Sequence, residues 1–154
     1  MDRTIINNVN EIVKKDDTLW FLGDWAFGRG TNEVIITTSR KAINCKDIRL
    51  VFGNHDKLIR NNKQLQGLFT ECGEWFCQEI GGRKILMTHY PRKNPTHKTP
   101  HWESLVDKFF QQYPTGIHLF GHTHNNHTVT PFNMSVENNE YKPISLEEIF
   151  RRAS

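Results

Sequence analysis

Four separated segments of this sequence carry side chains suited to holding a divalent cation, and each one follows an apolar run of strand type. TLWFLG runs into Asp24, IRLVFG into Asn54, His55 and Asp56, KILMT into His89, and IHLFG into His122 with His124 two residues on. Singly, Asp24 after Gly23 and Asn54 after Gly53 read as turn residues, and His122 as one more surface histidine. Together they read differently, because loops beyond the carboxyl ends of strands in α/β sheets converge on one crevice. Carboxylate, amide carbonyl and imidazole suit Mn, Fe, Zn or Ni; calcium prefers oxygen throughout, and structural zinc prefers thiolate. Glycine beside the ligands (Gly23, Gly53, Gly121) lets the backbone turn sharply and approach an ion. Two metals close together polarise a phosphoryl oxygen and acidify a bridging water. No protein nucleophile is then needed, and no Ser-His-Asp order or Cys-His pair stands out.

The elements that must position these residues follow from periodicity. Ile5, Ile6, Val9, Ile12 and Val13 share a helical face, so residues 2 to 15 are expected to form an amphipathic helix. Residues 18 to 22 and 48 to 52 read as strands stopped at glycine, with a helix between them over 32 to 43. After a less regular stretch, residues 75 to 80 and 84 to 87 flank Gly81-Gly82 as a β-hairpin. The Pro-rich stretch from Pro91 to Pro100 reads as a functional loop. A helix over 102 to 112, a strand over 117 to 120 and short strands at 128 to 130 and 133 to 136 follow. Ser145 and Glu148 form a capping box opening a last helix, Leu146 to Arg152. One mixed α/β domain spanning 1–154 is the expectation.

Composition narrows the function classes. The chain has 154 residues, 36% hydrophobic and 24% charged, with a formal net charge of +3. That is ordinary for a globular domain, and no apolar run approaches the roughly 18 residues of a membrane span. The polar N-terminus does not read as a signal peptide, and three cysteines without a C-x-x-C pair read as reduced thiols. A cytoplasmic protein without a membrane partner is expected. Arg83, Lys84, Arg92, Lys93 and Lys98 concentrate some basic charge, but a nucleic-acid partner rests on that mild excess alone and is unsupported. His97 and His101 in the Pro-rich loop read as surface residues, His118 as a strand residue, and Trp25 and Phe27 as core aromatics rather than a stacking platform. Nothing in the sequence speaks to oligomeric state.

The ordered set GDWAFG (23–28), GNHD (53–56), THYP (88–91) and GHTH (121–124) resembles the calcineurin-like metallophosphoesterase family, in particular its small bacterial and phage phosphoesterases. The resemblance covers nearly the whole chain. It implies a sandwich of two mixed β-sheets flanked by helices, a phosphate-ester substrate, and hydrolysis of a phosphomonoester or phosphodiester. It further implies that Asp24 bridges two metals, that Asn54, His89 and His122 complete the second metal site, and that His124 contributes to the first. His55 would sit over the scissile phosphate, with Asp56 orienting its imidazole.

The sequence departs from the family at one point: no Asp-x-His precedes Asp24. In the family that motif ends the first strand and binds the first metal. The expectation is therefore an N-terminally truncated domain whose first strand is missing, with one metal held by four ligands and a second site half built. A start at a downstream methionine or a degenerate remnant is favoured over a strand supplied by another chain. On this reading the chain turns over poorly, the alternative being an inactive remnant that binds one metal or a phosphorylated ligand.

Overall fold

The computed structural model describes residues 3–28, 30–93, 100–124 and 132–154. The amphipathic opening forms α1 (Arg3–Ile12) and leads into β1 (Thr18–Phe21). A helix α2 (Glu33–Lys41) follows, its N-terminus capped by the Asn32 side chain, which accepts from the Ile35 N–H at 3.1 Å. β2 (Asp47–Val51) runs parallel to β1, pairing Thr18 with Asp47 through Phe21 with Leu50. The stretch read as irregular holds two single-turn helices, α3 (Lys57–Arg60) and α4 (Lys63–Gln66), and a short strand β3 (Glu71–Gly73) parallel to β2. The first sheet is thus β1-β2-β3, parallel throughout.

The second sheet is mixed. β4 (Trp75–Ile80) and β5 (Arg83–Thr88) form the expected hairpin across Gly81 and Gly82. Both turn glycines have positive φ (59° and 75°), which the right-handed twist of a two-residue hairpin requires. After α5 (Pro100–Gln112), β6 (Ile117–Leu119) pairs parallel to β5, and α6 (Leu146–Arg152) closes the chain.

Strand alternation divides the apolar residues among three layers of packing. Ile48 and Leu50 of β2 face α1 and α2, with Trp25, Ile36, Ile59 and Phe69 in the same cluster. Val51 and Trp20 face the other way, onto Phe76, Ile85, Met87 and Leu119 of the second sheet and Ile149 of α6. Leu86 points outward onto Val106 and Phe109 of α5. The result is helices, sheet, sheet, helix, with Trp20 meeting Phe76 edge-on between the sheets at 5.1 Å. Strands buried on both faces read as unbroken apolar runs, which is why KILMT, whose last four residues Ile85 to Thr88 are all buried, lacks alternation.

Three expectations are corrected. Residues 133 to 136 form no strand: Asn133 makes an isolated bridge to Phe120, and Val136–Asn139 is a 3-10 turn. His101 lies on α5 rather than in a loop, while His97 lies outside the described residues, as does the strand expected at 128 to 130. The capping box is half formed: the Ser145 hydroxyl accepts from the Glu148 N–H at 3.2 Å, but the Glu148 carboxylate turns to Arg151 and Arg152.

Candidate metal centre

The candidate ligands come from the ends of β1, β2, β5 and β6, and the backbone is shaped to bring them together. Asp24 and His122 have positive φ, 59° and 66°, a conformation that non-glycine residues adopt uncommonly and that clusters at functional sites. Gly23 and Gly53 permit the close approach of two loops. A Cβ on Gly53 would collide with the Asp24 carboxylate and lie 2.5 Å from its backbone N; one on Gly23 would collide with His89 Nδ1 and lie 2.8 Å from the Gly53 N. At the other strand pair, the Gly121 N–H donates to the His89 carbonyl at 3.0 Å and fixes the loop carrying His122.

Asp24, His89 and His122 form the one His/Cys/Asp/Glu group among the described residues whose ligand atoms are close enough to share an ion, all within 4.8 Å of one another. Asn54 joins them. Its Oδ1 lies 3.1 Å from His89 Nε2 and 3.0 Å from His122 Nδ1; His89 Nε2 is also 3.1 Å from His122 Nδ1 and 3.4 Å from Asp24 Oδ2. Atoms placed about 2.1 Å from a common centre at angles of about 90–110° stand about 3.0–3.4 Å apart, which is this spacing.

The protonation pattern supports the same fit. His89 Nδ1 lies 2.8 Å from the Leu22 carbonyl, which only accepts, so Nδ1 carries the proton. Burial lowers the His89 pKa against the opposing pull of Asp24, so the ring is neutral near pH 7 and its contact with Asp24 is no salt bridge. Nε2 therefore presents a lone pair to the oxygens of Asp24 and Asn54. Of these four groups, only His122 Nδ1 can bring a proton to the centre. Lone pairs converging on one point favour a cation there. The residues fit a divalent metal.

Asp56 and His124 stand elsewhere than expected. Asp56, buried, accepts from three backbone N–H groups: Asp24 at 2.7 Å and Gly53 at 2.8 Å through Oδ2, and Trp25 at 2.9 Å through Oδ1. Burial raises its pKa while these bonds pull it down. It clamps the Asp24 loop to the Gly53 loop and does not hold the His55 imidazole. His124 pairs with Glu137 at 2.8 Å and is not brought to the Asp24 group. His55 is exposed at the edge of the site, its N–H donating to Asp24 Oδ1 at 2.9 Å.

The structure also engages residues that composition and spacing passed over. Tyr90 packs against both candidate ligands, its ring 4.9 Å from His89 and 4.6 Å from His122, and Trp102 lies 5.6 Å from Tyr90. Thr88 donates its hydroxyl to the Tyr90 carbonyl at 2.6 Å and accepts from His118 Nε2 at 2.8 Å. His118, read as a plain strand residue, thus braces the segment that carries His89. Of the basic stretch, Lys84 pairs with Glu79 at 2.7 Å, Arg92 with Asp107 at 2.6 Å, and Arg83 lies over the Phe150 ring.

His118 makes stability depend on pH. Burial drops its pKa from 6.5 to about 4. The unfolded chain binds the proton first as pH falls, so this contribution is complete above pH 6.5 and lost between 6.5 and about 4. The loss amounts to about 3 kcal/mol at most. Urea denaturation of His118→Gln should show a flatter stability profile over that interval than the parent; an equal slope would remove His118 from this role.

An uncharacterized protein of Methanocaldococcus jannaschii, MJ1445, is 29% identical over 163 residues, covering 98% of this chain and 74% of that protein. The crystal structure of a protein of unknown function from Aquifex aeolicus, AQ665, superposes with a TM-score of 0.72 at 29% identity, covering 96% of this chain and 82% of that one. A novel archaeal phosphodiesterase shares the fold at a TM-score of 0.52 and 18% identity, covering 85% and 75%. No helix among the described residues is long and apolar enough to cross a membrane. The model of the calcineurin-like phosphoesterase superfamily domain matches residues 2–137, and the chain belongs to that superfamily.

Proposed function

We propose that this chain hydrolyses a phosphomonoester or phosphodiester with a divalent metal held by Asp24, Asn54, His89 and His122. The observation that carries the reading is the convergence of these ligand atoms: Asn54 Oδ1, His89 Nε2 and His122 Nδ1 stand 3.0–3.1 Å apart, with Asp24 Oδ2 3.4 Å from His89 Nε2. Bound metal supplies Lewis acidity, polarising a phosphoryl oxygen and making water acidic enough to attack near neutral pH. The chain's own residues do the rest. Asp56 and the two close-packed glycines hold Asp24 and Asn54 at fixed separation, and Tyr90 and the Thr88–His118 pair hold His89 and His122. His55, exposed beside Asp24, offers an imidazole to a leaving oxygen as a proton donor. Manganese as the working ion and a cytoplasmic setting belong to the same proposal.

A second reading, a binding protein that holds one metal without turnover, draws support from His124, which is engaged by Glu137 rather than by the Asp24 group. Hydrolysis of bis-4-nitrophenyl and 4-nitrophenyl phosphate with added manganese separates the two. The enzyme reading expects metal-dependent turnover, with His55→Asn lowering kcat by about 10²–10⁴-fold and leaving metal binding unchanged. One bound metal and no turnover of either ester would establish the second.

A further inference from the structure

Phe27 is the aromatic residue in the Asp24 loop that the core does not claim. Its neighbours Trp25 and Ala26 are buried at 1% and 4% exposure, and the Trp25 indole N–H donates to Ser39 at 2.9 Å, so core packing accounts for them. Phe27 is 73% exposed. A single exposed apolar residue is unremarkable in itself, but this one is placed. It follows Asp24 by three residues, and its ring meets the His55 imidazole edge-to-face, centroids 4.6 Å apart and planes at 84°. The backbone N–H of His55 in turn donates to Asp24 Oδ1, which places the residue beside Asp24. On the phosphoesterase reading, with His55 as proton donor to the leaving oxygen, the open ring of Phe27 borders the side of the site from which that group departs. Tyr90, the other aromatic at the site, packs its ring against His89 and His122.

We propose that Phe27 is a specificity-determining residue that stacks on an aromatic or heterocyclic ring of the ester group, so that the substrate class is aryl or nucleoside phosphates rather than alkyl or sugar phosphates. The inference rests on the phosphoesterase reading above. Ring stacking of this kind is sequence-tolerant and contributes about 5- to 150-fold in affinity.

Calorimetric titration of the manganese-loaded chain with AMP, ribose 5-phosphate and inorganic phosphate tests it. AMP should bind about tenfold tighter than ribose 5-phosphate. That ratio should fall to near one in Phe27→Ala and be kept in Phe27→Trp, with thermal midpoints matching the parent because the side chain is exposed. A ratio near one in the parent, or an undiminished ratio in Phe27→Ala, overturns the role of Phe27 while leaving the phosphoesterase reading in place. Absence of binding by all three anions, together with no turnover of bis-4-nitrophenyl phosphate, brings down both.

Discussion

Asp24→Asn is expected to reduce manganese-dependent hydrolysis of bis-4-nitrophenyl phosphate by about 10³-fold or more, while the metal-free protein becomes slightly more stable. The two effects have one cause. Asp24 Oδ2 lies 3.4 Å from the unprotonated Nε2 of His89, an approach of two electron-rich atoms that a cation would favour. An asparagine keeps an oxygen able to accept from the His55 N–H and presents an amide N–H₂ toward Nε2, relieving the contact. It also removes the negative charge that would hold the metal, and metal-derived charge stabilisation contributes several kcal/mol to a phosphoryl-transfer barrier. Thermal unfolding with and without manganese should show a metal-induced rise in the parent and none in the variant. Equal rates in the two proteins would attribute the activity to a contaminant.

Asp56→Ala carries the largest expected effect on folding. The substitution leaves the backbone N–H groups of Gly53, Asp24 and Trp25 without their acceptor in an interior where Trp25 is 1% exposed. Each orphaned buried donor costs about 1–3 kcal/mol, so the sum is several kcal/mol against a typical total of about 5–15 kcal/mol. Asp56→Asn retains one acceptor oxygen and should fall between the parent and Asp56→Ala in urea midpoint. Were Asp56 an orienting partner for His55, both variants would instead lower kcat with stability unchanged. A loss under about 1 kcal/mol for Asp56→Ala would disprove the clamp.

The convergence of the candidate residues was legible because each follows a strand in an α/β arrangement, where chain geometry alone brings strand ends together. The sequence carried the hairpin because Gly81-Gly82 admits the needed turn, and α6 because Ser145 caps it. The irregular stretch hid α3, α4 and β3, since single turns and a three-residue strand are too short to show a period. The role that the resemblance implied for Asp56 says nothing about the direction of its side chain; its carboxylate turns inward to the backbone N–H groups of the Asp24–Trp25 segment and of Gly53 in its own loop. His118 and Phe27 were both read by type. A histidine in a strand and a phenylalanine in an apolar loop acquire their places through partners 30 and 28 residues away in the chain, Thr88 and His55.

Stoichiometric manganese binding is the most direct measure of the central claim, that Asp24, Asn54, His89 and His122 hold a divalent metal. Equilibrium dialysis of the purified chain with metal quantified by mass spectrometry should give one firmly held equivalent, lost in His89→Ala while His124→Ala keeps it. No bound metal, or the same equivalent retained by His89→Ala, would contradict the account.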